Sequence, residues 1–246
     1  MKMSKGVLMK FLKKVSVNNY VWECVIKFEE KGISCSVNTG FVYMSSLLPA
    51  SLISDYKSGF SIGIKDLKLI QNMVNSFRKE FELDKKDNLL IMKDESKVIE
   101  SVTADPNFVR STEWNDLSYN NEVNFSFNSA NIKGILSDTA IFGVSRKEEM
   151  ANSLIYFEGI PGKLIVTIDA TGNKVRREFD VPEIQTAFKT SFGDKLITDV
   201  LKSLSGNLKI KTQNQGPIEI FEEDDGIISH YVVAPRIDDE VKEESK

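Results

Sequence analysis

At 246 residues and 41% hydrophobic content, the chain is long enough to bury the core of one large or two ordinary domains. No run of eighteen apolar residues occurs, which excludes a membrane-spanning helix. The net charge of −4 is unevenly placed: ten acidic and three basic residues fall between Glu219 and Lys246, which leaves +3 on the residues before them. Segregated charge of this kind suits a protein that meets nucleic acid on one surface, and it suits many solvated domains equally.

The first ten residues carry the lysines of a secretory leader, but Lys10, Lys13 and Lys14 interrupt any apolar core and no small-residue cleavage site follows. The segment reads instead as a helix of the mature protein over 5–15. Val7, Leu8, Phe11, Leu12 and Val15 share its apolar arc, and Lys10, Lys13 and Lys14 fall on the other side. Residues 20–30 alternate as a strand, Lys31-Gly32 is a hairpin turn, and 33–48 continue in strand. Cys24 and Cys35 lack metal-ligand spacing and are expected to be reduced, buried residues of an intracellular protein. A strand at 60–64 leads into a second helix near 65–78. Its stripe is Leu67, Ile70, Met73, Val74 and Phe77, and its polar face carries Lys65, Lys68, Asn72 and Asn75. Two or three strands fill 83–103, divided at Asp87-Asn88 and Asp94-Glu-Ser96.

Between 104 and 121 the pattern changes to a polar linker with only Trp114 and Leu117 as large apolar residues in its second half. The order then restarts. A strand at 123–127, placed opposite 60–64 by its position before a helix, is followed by a helix over 129–142. Ile132, Ile135, Leu136 and Thr139 face inward there, with Lys133 and Ser137 opposite. Strands are expected at 153–158, 163–169 and 174–180. A fourth helix over 194–204 buries Leu196, Ile197, Val200, Leu201 and Leu204 and exposes Lys195, Thr198 and Lys202. Strands at 208–212, 218–222 and 227–233 complete the chain. The pattern is a diverged duplication of α+β type, with two helices on antiparallel sheets in each half. It divides into a domain over 1–103, a connector over 104–121, a domain over 122–237 and an acidic tail over 238–246.

Catalytic patterns are lacking in this sequence. His230, the single histidine, alternates with apolar residues in a strand and has no nucleophile or carboxylate at a recognised spacing. Phe192-Gly-Asp-Lys and Glu158-Gly-Ile-Pro-Gly162 do not make a phosphate-binding loop. Glu222-Glu-Asp-Asp225 lacks the spaced oxygens of a calcium loop and reads as a solvated turn. No metal, cofactor or enzymatic activity is expected. Lysine faces repeated at matched places carry the argument further than any one of them would. Asp66 is the main acidic exception on the first two helices, whereas Asp138, Asp194 and Asp199 nearly cancel the lysines of the last two.

The end of the chain, Ile228-Ser-His-Tyr-Val-Val-Ala-Pro-Arg-Ile-Asp-Asp-Glu240, resembles the C-terminus of the DNA sliding clamps of the proliferating-cell-nuclear-antigen type. The order and spacing of the elements resemble that family over nearly the whole length. Met1-Lys-Met-Ser-Lys5 and Ala104-Asp-Pro106 are similar to the clamps of tailed bacteriophages, which leaves a viral source open beside a cellular one. The resemblance implies three subunits closing head to tail into a ring whose helices meet duplex DNA without reading its sequence. Lys10, Lys13, Lys14, Lys65, Lys68, Lys133, Lys195 and Lys202 would meet phosphates, with Arg78, Lys79, Arg146 and Lys147 secondary. Ring closure would pair 97–103 with 174–179 of the next subunit. Val98, Val102, Val175 and Phe179 would pack there, with Glu100 available to Arg176 or Arg177. A partner pocket would use Phe108, Val109, Trp114, Leu117, Pro217, Val232, Ala234, Pro235 and Ile237. The family's early-loop Met-Asp pair stands as Asn38-Thr39 here, and its second tyrosine before Ala-Pro as Val232.

The resemblance thus implies a DNA polymerase processivity factor at the replication fork. Its expected partners are double-stranded DNA, a DNA polymerase, an ATP-dependent clamp loader and its own copies, with no membrane. The rival readings are a non-catalytic β-rich structural or viral assembly protein and a small-ligand-binding β protein.

Overall fold

The computed structural model describes residues 1–109, 111–112, 117–120, 122–142, 153–170 and 172–236. The chain divides into two compact units. The first is Met1–Asp116 with Lys202–Ser205 and Phe221–Tyr231, and the second is Leu117–Leu201 with Gly206–Ile220 and Val232–Lys246.

The first unit opens with β1 (Lys2–Ser4) and α1 (Lys5–Ser16), continues through β2 (Cys24–Glu29), β3 (Gly32–Asn38), β4 (Val42–Pro49) and β5 (Phe60–Ile64), and then forms α2 (Leu67–Asn75), β6 (Glu80–Lys86), β7 (Leu89–Lys93) and β8 (Val98–Val102). Its strands pair antiparallel in the orders β1-β6-β7-β8 and β5-β2-β3-β4. In α1 the buried Leu8, Phe11, Leu12 and Val15 recur at helical spacing. In α2 the Asp66 side chain caps the first turn by accepting from Leu69 N at 2.8 Å. Leu8 and Leu12 of α1, Ile70 and Val74 of α2, Ile26, Ile33 and Ile62 of one sheet and Leu83, Leu90 and Met92 of the other converge on one interior point. The hairpin between β2 and β3 needs Gly32, because a Cβ there would lie 2.1 Å from the carbonyl oxygen of Leu48.

The second unit holds β9 (Val123–Phe127), α3 (Ser129–Ile141), β10 (Leu154–Ile160), β11 (Lys163–Ala170), β12 (Asn173–Asp180), β13 (Phe188–Gly193), most of α4 (Asp194–Ser203) and β14 (Asn207–Thr212). Four of these strands form a sheet in the order β12-β11-β10-β13, and β14 pairs with β9. The last strands, β15 (Ile218–Asp224) and β16 (Ile227–Val233), contribute residues to both units. A reciprocal capping box starts α3: Asn128 accepts from Asn131 N, and the Asn131 side chain accepts from Asn128 N. Phe125, Phe127, Ile135, Phe157, Phe188, Phe192, Ile197 and Val200 are buried in the core.

The internal duplication holds, but the register read from sequence is corrected. In the first unit β1 precedes α1 and pairs with β6, the strand after α2. Likewise β9 precedes α3 and pairs with β14, the strand after α4, so 123–127 corresponds to β1 and not to 60–64. The true counterpart of β5 is β13, since each pairs with the first described strand after the preceding helix. Thr198, expected on the exposed face of α4, is buried and donates from Oγ1 to Asp194 Oδ1 at 3.0 Å.

Candidate nucleic-acid interface

The helices α1 and α2 run antiparallel: Gln71 Nε2 donates to Leu12 O at 3.1 Å, and Lys5 Nζ to Asn75 O at 2.7 Å. Their lysines differ sharply in environment. Lys14 is 1% exposed and buries its ammonium against Glu222 Oε2 at 2.6 Å and Asp224 Oδ2 at 3.1 Å. Its assignment as a phosphate contact is therefore corrected, because a buried, paired charge has nothing left to offer DNA. Lys10 donates to Asp224 Oδ1 at 2.8 Å and also pairs with Asp225, so its charge too is met within the unit.

The acidic turn expected to be solvated is the counter-charge of this helix. The Glu222 side chain is fully withdrawn from water and also accepts from Ser205 N at 2.7 Å, while Ser205 Oγ donates to Asp224. Burial works to raise the Asp224 pKa, but hydrogen bonds from Lys10, Ser205 and Lys14 overcome it and hold the carboxyl at about 2. Lys13, Lys65 and Lys68 are exposed, and none has an ion-pair partner among the described residues.

On α3, Lys133 is exposed. Lys195 of α4 pairs with Asp199 four residues on at 2.9 Å, so half of the cancellation foreseen for this helix is a direct contact. Lys202 is exposed. Arg146 and Lys147 lie outside the described residues, whereas Arg78 and Lys79 are exposed just after α2.

The two strands expected at a subunit boundary each end a sheet. Among the described residues β8 pairs only with β7, and β12 only with β11. On β8, Val98 and Val102 are 60% and 74% exposed, and Glu100 lies on the same face between them. A groove of about 410 Å³ runs from Ser101–Ala104 to Lys65, Asp66 and the half-exposed Leu69 of α2. On β12, Val175 and Phe179 are half-buried, with Phe179 edge-on to Phe127 at 5.1 Å. Arg177 is not available to Glu100: it grips Asp138 of α3 through two hydrogen bonds, Nε to Oδ2 at 2.6 Å and Nη2 to Oδ1 at 2.7 Å. Arg176 is 60% exposed and pairs weakly with Glu178.

The predicted partner-pocket residues fall into different settings. Phe108 is 80% exposed, but Val109 is buried and is withdrawn from the pocket. It packs where a Cβ at Gly63 would lie, and Ala104 exchanges both backbone hydrogen bonds with Gly63, so the start of the connector is clipped to β5. In the second unit Leu117 is 40% exposed, and Pro217, Ala234 and Pro235 are half-buried. Val232 is buried in the core, which removes it as a docking side chain. The chain after β16 is tied to β13: Arg236 N donates to Ser191 O, and Ser191 Oγ to Arg236 O, each at 2.8 Å. Trp114 and Ile237 lie outside the described residues.

Two exposed aromatics escaped the sequence reading, Trp22 at 62% and Phe41 at 64%. Their position between a helix end and a strand, or at a hairpin tip, was the available signal. His230 stacks on Phe221 with ring centroids 4.3 Å apart. Cys24 and Cys35 are free and buried, and the Cys35 thiol is pushed up by a hydrogen bond with Cys24 and by burial.

No family model and no curated protein matches the chain. Solved structures do. The chain is similar to the PCNA of A. fulgidus, solved with the C-terminal region of FEN-1 bound, with a TM-score of 0.79 at 17% identity, over 96% of this chain and 98% of that one. It is similar to the proliferating cellular nuclear antigen of Entamoeba histolytica, with a TM-score of 0.77 at 16% identity over 96% and 98%. Against the PCNA of Thermococcus kodakaraensis the TM-score is 0.77 at 18% identity over 96% and 99%. The chain has the sliding-clamp fold expected from its sequence.

Proposed function

We propose, from the sliding-clamp fold of this chain, that it is a DNA polymerase processivity factor: three copies close into a ring around duplex DNA and tether a polymerase and other replication proteins to it. One observation carries the reading above all. The likeness to clamps spans 96% of the chain, and the strands that would join neighbouring copies, β8 and β12, each end a four-stranded sheet among the described residues. Pairing them between copies removes two open edges, and a rotation that closes gives a ring in place of a filament. Val98, Val102 and Leu69 offer the apolar surface for that contact, with Glu100 facing Arg176.

Sliding follows from the kind of charge presented. Lys13, Lys65, Lys68, Lys133 and Lys202 act on phosphates, whose attraction carries no sequence information, so the ring holds DNA without stopping at any site. The protein acts by tethering, with no chemical step of its own. It works inside the cell at the fork, and an ATP-dependent loader opens the ring. A partner peptide docks on the second unit near Leu117, Pro217, Ala234 and Pro235, anchored by a few buried side chains.

The test is a subunit count by light scattering together with retention on nicked circular DNA after loading. Three subunits, and retention that vanishes when the circle is cut, are the expected results. A monomer at micromolar concentration that ignores circular DNA would overturn the reading and favour a structural or assembly protein.

A further inference from the structure

Resting on that reading, we propose that the grip of α1 and α2 on DNA is concentrated at one end of the helix pair, and that the indole of Trp22 packs there against the sugar–phosphate backbone of the duplex. The lysines of these helices are sorted by their partners. At the end where α1 begins and α2 finishes, Lys5 is bound to Asn75 O. Lys10 in the middle of α1 and Lys14 in its last turn are held by Asp224, Asp225 and Glu222. At the other end Lys13 sits in the last turn of α1, and Lys65 and Lys68 flank the first turn of α2. These three are exposed and lack ion-pair partners among the described residues. Asp66, the exposed carboxylate between them, accepts from Leu69 N as the cap of α2.

Trp22 is fixed at that same end, because its carbonyl oxygen accepts from Leu67 N at 2.9 Å. Its side chain is 62% exposed. The chain reaches it through a strained turn in which Val17, Asn18 and Asn19 all take left-handed φ values of 45°, 54° and 68°. A β-branched residue rarely adopts that conformation, and it persists only when its surroundings enforce it. The buried Val17 and Val21 supply the enforcement, with Val21 N bonded to Ser16 O and Tyr20 N to Val17 O. Rigid backbone thus presents an aromatic face to solvent beside three ammonium groups that have no ion-pair partner among the described residues. An indole offers a flat apolar surface and a single N–H donor. That combination fits deoxyribose faces and a phosphate oxygen, while the lysines meet the neighbouring phosphates. None of these contacts reads a base, so sliding is preserved.

The experiment uses the full chain carrying Trp114→Phe, which leaves Trp22 as its single tryptophan, and titrates a short duplex at low salt. Tryptophan emission should change saturably and revert as salt is added. Trp22→Ala should weaken duplex binding about 3- to 10-fold, leave the slope of log affinity against log salt intact, and keep the native circular dichroism. The triple change Lys13→Ala, Lys65→Ala, Lys68→Ala should instead flatten the slope. Duplex binding that depends on the three lysines, with unchanged emission and unchanged affinity for Trp22→Ala, would overturn the role of Trp22 alone. An emission change produced by partner proteins but not by DNA would overturn it as well. Failure of the unaltered protein both to bind duplex and to stay on nicked circles would overturn the clamp reading itself, and Trp22 with it.

Discussion

Lys14 Nζ stands 2.6 Å from Glu222 Oε2, with both side chains removed from water. An ion pair so placed binds the first helix of the chain to a strand near its end, and its worth depends on both charges being present together.

Removing the ammonium strands the buried Glu222 carboxylate, so Lys14→Ala should cost about 3–5 kcal/mol of unfolding free energy, read from the denaturant midpoint. Glu222→Ala should cost less, because Asp224 Oδ2 still stands 3.1 Å from Lys14 Nζ, and the paired change Lys14→Met with Glu222→Leu should cost far less than Lys14→Ala. If the paired variant also keeps its affinity for duplex DNA, the structural role of Lys14 is established. A loss of DNA affinity in that folded variant would return Lys14 to the DNA-facing set.

Asp224 gives a pH signature. Its folded pKa of about 2 lies below the ordinary 3.8, so its contribution is present in full above 3.8 and is lost as pH falls from there through 2. Asp224→Asn should therefore be less stable than the unaltered protein at neutral pH, and the gap should close across that acid window. A gap that stayed constant down to pH 2 in urea denaturation would show that the carboxyl is not held down.

For the edge strand, Val98→Lys with Val102→Lys places charge on residues already exposed, so stability should shift by no more than about 0.5 kcal/mol. The oligomer should nonetheless fall to monomers in light scattering. A trimer that survives both lysines would place the contact elsewhere.

Salt dependence separates the lysines. Replacing Lys13, Lys65 and Lys68 by Ala should each reduce the log–log salt slope by about 0.9 for a lost phosphate contact. Lys10→Ala should leave the slope unchanged, because its charge is already met by Asp224 and Asp225. An equal effect from Lys10 would show that the internal pair opens to DNA.

Local pattern carried much of the fold. The strands β5 and β9 were legible to the residue, and α1 and α3 to within one, because alternation and helical spacing are properties of neighbouring residues. β1 was not legible: three residues are too few to show a period. β13 was hidden because Phe188–Gly193 runs straight into α4 without a turn signal, and its absence shifted the register of the repeat. The site was harder. On a helical wheel Lys14 lies with the other lysines, and no local rule ties it to a carboxylate 208 positions away. A hint existed, since Lys14 is two turns on from Val7 and so borders the apolar arc. The acidic turn was misread for the same reason. Its four charges look solvated in isolation, and only the fold brings a buried ammonium to them.

The clip between Gly63 and Ala104 sets where the connector can change length. Ala104 to Val109 move with β5, since two backbone hydrogen bonds and a side chain seated on a glycine hold them there. A sequence grafted between Thr103 and Ala104 would tear that seat open, and so would any side chain added at Gly63. One grafted at 111–112 would only lengthen chain already past the attachment. Dyes, tethers and natural insertions are thereby steered to the far side of Val109, and a load pulling on the connector is delivered first to β5.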